Sequence, residues 1–383
     1  MRRTVLGVLA VLATLAVAGC TPSAPTVAQT PAPTRTSQTP APTPTPVDPA
    51  TALVGRMSVA QQAQSVIMGT IPGADPAAAR AYMTGGFGGF ILMGGNVPET
   101  PAQLKELTTA LTVDPTLPPL IATDEEGGIV KRLPWDDLPS AKTLKGAPPA
   151  DAQQAFAARA QLLADAGVDV NFGIVADVPR ESSSFIYSRA LGTDPDAASE
   201  RVAAAVQGEH GTVMSTLKHF PGHGAAPGDS HHVIPSTAEP LEQWRTSDAK
   251  PFEAGISAGA ELLMFGHLAY TAVDAAPASL SARWHEIARD DLGFDGVMIT
   301  DDLGMLQSSG IPAYRDPVQN SVAALAAGND MVLLVAGSDA QTAPQVAAGI
   351  VAAVQDGRLP AQRLQDAAEH VAALRLEIAA RER

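Results

Sequence analysis

A closed (β/α)8 barrel is the fold this sequence predicts, and three observations predict it. Short apolar runs alternate with helical patterns from about residue 50 to the end, with no second linker between them. Charged and polar residues stand directly after several of those runs, where a barrel gathers them at one mouth. The rival open sheet needs a glycine-rich turn after a strand, but Gly85-Gly86-Phe87-Gly88-Gly89 precedes one.

Before the barrel come two segments of different composition. Arg2 and Arg3 lead into an apolar stretch, Val5 to Val17, too short to span a bilayer stably. It ends in Val17-Ala18-Gly19-Cys20, which resembles a bacterial lipobox. Residues 1–20 therefore predict a lipoprotein signal peptide, with Cys20 lipidated and anchored on the outer face of the cell membrane. The alternative is an ordinary secretory signal. Cys20 is the only cysteine, so no intrachain disulfide can form. Residues 21–49 are Pro/Thr-rich and cannot build a core, which predicts a disordered spacer. The remainder, 50–383, reads as a single domain.

Eight strands are expected, at Ser65–Thr70, Gly88–Met93, Pro119–Thr123, Val168–Ile174, Thr212–Leu217, Glu261–Phe265, Gly296–Thr300 and Met331–Val335. Helical patterns between them include Asp151–Ala166, Ala197–Glu209, Pro251–Ala258 and Asp316–Ala327. Apolar residues at 45% suffice for such a core. A net charge of −15 and a pI near 4.9 exclude nucleic acid as a partner, since phosphate binding needs a basic face.

Behind the third run stand Asp124, Glu125 and Glu126, and behind the fourth Asp177 and Arg180. Lys218 and His219 follow the fifth, His267 the sixth, and Asp301 and Asp302 the seventh. Unpaired charges are costly at the ends of central strands, so their collection at one rim marks a site. Asp301 closes a strand without other charge and can act as nucleophile or as partner to a cation. Asp302 can instead cap the following helix.

Lys218-His219-Phe220-Pro221-Gly222-His223-Gly224, with Asp229-Ser230-His231-His232 close behind, reads as a glycine-punctuated loop crowded with proton-carrying groups. Asp229 can orient the His231 ring and favour its imidazolium, as a general acid requires. A bland surface pair is the competing reading. A zinc set of His219, His223, His231 and Asp229 is set aside, because Pro221 and Gly222 prevent a shared helical face. A Ser230 hydrolase lacks the G-x-S-x-G turn.

Several stretches resemble glycoside hydrolase family 3, in its single-domain β-N-acetylglucosaminidase branch, over nearly all of 50–383. Asp124 to Arg132 resembles the family's D-x-E-G-G-x-V-x-R, and Asn171 to Val178 its N-F-x-P-V-A-D-V. Ser188 to Gly192 resembles R-S-F-G. Lys218 to Gly224 matches K-H-F-P-G-H-G, Asp229 to His231 matches D-S-H, and Thr300 to Met305 matches S/T-D-D-L-G/S-M. The chain departs at Ile174, Ala190, Leu191, Ala225 and Ala226, which bears on loop shape and aglycone preference.

The resemblance implies a retaining exo-β-N-acetylglucosaminidase acting on peptidoglycan-derived fragments. Asp301 would be the nucleophile, His231 the acid/base and Asp229 its orienting partner. Asp124, Arg132, Arg189, Lys218 and His219 would bind the sugar. No metal or organic cofactor is implied, and a monomer is expected. A β-glucosidase of the same fold and a non-catalytic sugar-binding lipoprotein are the alternatives.

Overall fold

The computed structural model describes residues 18–20 and 48–381. The apolar run of the predicted signal lies outside the described residues, as does most of the predicted spacer. Cys20 is exposed. No described helix is long and apolar enough to cross a membrane.

Eight parallel strands close into a barrel: β1 (Ile67–Gly69), β2 (Gly89–Leu92), β3 (Leu120–Thr123), β4 (Val170–Val175), β5 (Met214–Phe220), β6 (Leu262–Phe265), β7 (Val297–Asp302) and β8 (Met331–Leu333). Each strand pairs with the next in sequence, and β8 closes onto β1 through Ile67–Val332 and Met68–Leu333. The expected (β/α)8 barrel is the observed fold, with shifted strand ends. Ser65 closes a helix, Val59–Ser65, instead of opening β1. The predicted spacer ends early too, since a helix already begins at Pro49.

Period-two alternation fills the barrel interior. Leu120 and Ala122, Val170 and Phe172, Leu262 and Met264, and Val297 and Ile299 belong to one buried cluster. Val371, Leu374 and Ile378 of the C-terminal helix, Ala361–Arg381, join that cluster. Five helices start on an Asp or Thr cap followed by proline: Asp48, Asp75, Thr100, Asp194 and Asp316 each accept a backbone N–H of the first turn. Proline at the first helical position loses no hydrogen bond, and so part of the proline content starts helices.

Asp330, fully buried just before β8, gathers Arg289, Arg363 and His370 and accepts the Met298 N–H. This cluster ties the C-terminal helix to the strands.

A second buried carboxyl sets an alkaline limit. Glu209 ends the helix Pro195–Glu209 and takes a 2.5 Å bond from Asn171. Burial pushes its pKa up to about 8. A carboxyl raised in the folded state contributes stability below its unfolded value, about 4.3, and loses it as pH rises toward 8. Glu209→Gln is therefore expected to gain stability relative to the parent between pH 5 and pH 8. Urea midpoints at both pH values check this; an unchanged difference would remove the assignment.

Candidate active site

The site begins with three carboxylates in a row behind β3. Gly127 and Gly128, both at positive φ (83° and 71°), turn the chain back so that Glu126 N–H meets Val130 O at 3.0 Å. A side chain at Gly127 would place its Cβ 2.4 Å from Arg159 Nη2, so only glycine fits this turn. The hairpin returns Arg132 to Asp124 at 3.1 Å. Glu125 points beneath it and accepts the N–H groups of Arg132 and Leu133 at 2.8 and 2.9 Å. Burial pushes Glu125 up to about 8.

From across the barrel, Lys218 Nζ reaches Asp124 at 2.8 Å and Glu126 at 2.7 Å. Arg189 forks onto Glu126 through two bonds of 2.8 and 2.7 Å. Burial pushes both carboxyls up, but the cations outweigh it. Lys218 and Arg132 hold Asp124 at about 2, and Lys218 and Arg189 hold Glu126 below the usual range. Both carboxylates stay ionised around neutral pH and, with the cations paired to them, offer fixed acceptors and donors to a polyol.

Lys218 and His219 do not follow β5 as expected; they lie within it. The ladder runs on through Val175–Lys218 and Phe220–Phe265, past a register shift in each pairing. The Lys218–His219 and Phe220–Pro221 peptide bonds are cis. His219 Nδ1–H donates to Asp177 at 2.7 Å, leaving Nε2 to accept from Arg189 at 3.3 Å. Burial lowers the His219 pKa well below its ordinary value, so the ring is neutral. Asp177 also accepts the N–H groups of His219 and His223.

Asp301 and Asp302 are likewise the last residues of β7, not the first beyond it. Asp302 caps the following helix through Gly304 N–H and also takes the N–H groups of Val335 and Ala336, all at 2.9 Å. Its role is structural, in line with the capping alternative. His267 supports the same corner: its ring donates to Asp302 O at 2.8 Å and accepts from Ser279. Asp301 stays free to face the cavity. Burial pushes its carboxyl up, but the Asp302 N–H at 2.7 Å and the Lys218 ammonium favour the anion, and the balance lies below the ordinary range. It is therefore an anion with an unshielded face, as a nucleophile must be.

The stretch 218–232 is not one loop. Its base is held rigidly: Trp244 donates to Pro221 O at 2.7 Å and Tyr270 to Gly222 O at 2.8 Å. Residues His223–Ala225 form one 3-10 turn. Beyond it His231 Nδ1–H meets Asp229 Oδ1 at 2.6 Å, with the His231 backbone N–H on the same oxygen at 3.0 Å. Burial raises Asp229, and the two His231 hydrogen bonds outweigh it. The His231 side chain is 56% exposed.

A cavity of about 240 Å³ draws these parts together. Asp124, Arg132, Arg189, Lys218, His219, His231 and Asp301 all line it, while Met93, Met264, Met305 and Leu333 supply apolar walls. Every predicted catalytic and sugar-binding residue except Asp229, which stands behind His231, faces this space. Arg180 does not: it pairs with Glu239 and Asp248 and lines a neighbouring cavity. Glu126 and Asp177, present on the predicted rim, were not singled out as site residues. Their signal was the motif position of Glu126, but which cations it meets is decided across the barrel. Among the described residues no three His, Cys, Asp or Glu side chains are placed to hold a metal ion.

Fold and rim together define a barrel whose mouth sets a buried carboxylate, Asp301, beside a network of charged groups suited to a polyol. The chain belongs to glycosyl hydrolase family 3, whose N-terminal domain model matches residues 65–374. It is 40% identical over 254 residues to the β-hexosaminidase of Pseudomonas aeruginosa, covering 64% of this chain and 74% of that protein. Among solved structures it is similar to a family 3 β-N-acetylglucosaminidase from Paenibacillus, with a TM-score of 0.78 and 26% identity. That match covers 85% of this chain and 64% of the Paenibacillus chain, so the present chain spans less than two thirds of its length. LpqI of M tuberculosis is 25% identical at a TM-score of 0.76, covering 85% of this chain and 96% of that one.

Proposed function

We propose that the protein is a retaining exo-β-N-acetylglucosaminidase that removes terminal N-acetylglucosamine from peptidoglycan-derived fragments. The observation that carries this is the shared cavity, in which the free face of Asp301 opens beside the Asp124–Lys218–Glu126–Arg189 network. The polar network binds hydroxyls, and the methionine walls suit the methyl of an acetamido group.

The reaction runs in two displacements. Asp301 Oδ attacks the anomeric carbon while the His231 imidazolium gives its Nε2 proton to the glycosidic oxygen, and the aglycone leaves as an alcohol. Neutral His231 then takes a proton from water, whose oxygen displaces Asp301 and frees the sugar. A histidine takes the place of the carboxylic acid usual in glycosidases. Asp229 holds the ring so that Nε2 is the nitrogen that works.

His231→Ala is expected to cost about 10²–10⁴-fold in kcat on a natural disaccharide, whose leaving group needs protonation. On an aryl N-acetylglucosaminide with a good leaving group, the loss should stay under about tenfold. Equal losses on both would refute the acid role. A β-glucosidase is separated by comparing aryl glucoside with aryl N-acetylglucosaminide turnover. The exported, Cys20-anchored, monomeric state is part of the same reading; Cys20→Ser should release the protein from membranes.

A further inference from the structure

Glu125 stands in the middle of the rim motif, yet it is not among the residues lining the sugar cavity. Its Oε2 is filled by the N–H groups of Arg132 and Leu133. Its Oε1 is buried, and no donor among the described residues reaches it. The carboxyl is nevertheless hydrogen-bonded to that of Asp136, which sits in the turn after Leu133 and gives its N–H to Leu133 O at 3.1 Å. Ionised carboxylates only accept, so a bond between two of them requires a proton. Each Asp136 oxygen already has a donor: Oδ1 takes the Leu138 N–H and Oδ2 takes Arg159 Nε, both at 2.8 Å. Glu125 Oε1 is the oxygen left to carry it.

We infer that Glu125 and Asp136 share a single proton, and that this proton positions the Arg132 hairpin for the sugar; the inference rests on the hexosaminidase reading above. Arg132 carries the consequence, because its backbone N–H hangs on Glu125 while its guanidinium meets Asp124 at the cavity wall. The surrounding groups agree. On the same hairpin, Asp124 and Glu126 turn to Lys218, Arg132 and Arg189, and Lys131 holds Asp136 O and Asp137. From the helix Pro149–Asp165, the fully buried Arg159 sits on the Asp136 side of the pair. From β4, Asn171 braces the Glu125 backbone N–H and O, both at 3.1 Å, and donates to Glu209 of the helix Pro195–Glu209. Burial raises both carboxyls. At Asp136 the Arg159 guanidinium outweighs it, whereas at Glu125 burial carries the value up to about 8. At neutral pH Glu125 is therefore the acid and Asp136 the anion. As the proton leaves, two anions face each other behind the hairpin, and the turn that holds Arg132 is driven off Glu125.

The test is calorimetric titration of N-acetylglucosamine into the intact protein between pH 6 and pH 9.5, a binding step that transfers no proton to a leaving group. Only the protonated pair presents Arg132 correctly, so Kd is expected to weaken about tenfold between pH 7 and pH 9. An amide keeps an acceptor for the two N–H groups and a permanent donor for Asp136. In Glu125→Gln the change over that range should therefore fall under about twofold. Glu209→Gln removes the other carboxyl raised into this range and should keep the decline. Trp135, partly buried beside Asp136, reports the turn without any ligand. Its fluorescence should titrate between pH 7 and pH 9 in the parent but not in Glu125→Gln, and Trp135→Phe should remove the signal. A parent affinity that does not change with pH, a decline retained in Glu125→Gln, or Trp135 emission indifferent to pH would overturn the inference. Failure of the parent to bind N-acetylglucosamine and to hydrolyse an aryl N-acetylglucosaminide at pH 7, with the Trp135 titration intact, would instead refute the hexosaminidase reading itself.

Discussion

Asp301→Asn is expected to lower kcat by on the order of 10⁴-fold or more, with the barrel unchanged. An amide has the carboxylate's shape, so its oxygen can still accept the Asp302 N–H at 2.7 Å. What it lacks is the charge and the lone-pair reactivity that form the glycosyl ester. In Asp301→Gly, which empties the carboxylate's space, small nucleophiles such as azide should partly restore turnover of aryl substrates, with inversion at the anomeric carbon. Mass spectrometry should find no covalent sugar on the variant. Near-parental activity would transfer the nucleophile role elsewhere, and Asp124 would be the first group to test.

Glu126→Ala is expected to have the largest effect on stability within the site. Glu126 is 2% exposed and answers two cations that are themselves nearly buried, Lys218 and Arg189. Its removal leaves Asp124 as the remaining carboxylate on Lys218 and takes from Arg189 both bonds of its fork. Losing one partner of a buried ionic network costs about 3–5 kcal/mol, because the remaining charge stays desolvated. Urea unfolding measures that loss, and substrate kinetics on the folded fraction should show KM rising, since Arg189 and Lys218 would lose their positions. Glu126→Gln should recover part of the geometry without the charge, and so fall between the two. A loss below about 1 kcal/mol for Glu126→Ala would mean the network is a solvated surface arrangement, not a buried one.

The contrast between Glu126 and its neighbours shows where sequence reasoning stopped. Asp124, Glu125 and Glu126 are three carboxylates in succession, and a rim position was legible for all of them. Their division of labour was not. Asp124 faces the cavity, Glu125 props the returning hairpin from below, and Glu126 anchors two distant cations. That division depends on the Gly127-Gly128 turn and on which strands stand opposite.

The strand ends tell a similar story. Apolar content suggested that β5 stopped at Leu217 and β7 at Thr300, because a charged residue usually ends a buried run. Backbone pairing runs farther, since the interior at that height is the site itself: Lys218 meets Asp124 and Glu126, His219 meets Asp177, and Asp301 takes the Asp302 N–H.

From the sequence alone came the barrel, the place of its rim and most of the charged side chains that line its cavity. These depend on local regularities: alternation, short apolar runs, glycine turns and motif spacing. Folding decided the rest. It set the partner of each charge, froze the base of the segment that carries His231 through Trp244 and Tyr270, and opened a second cavity past Phe185. Such outcomes depend on residues from different strands meeting in a low-dielectric space, where both distance and burial fix the charge state, and neither is written along the chain.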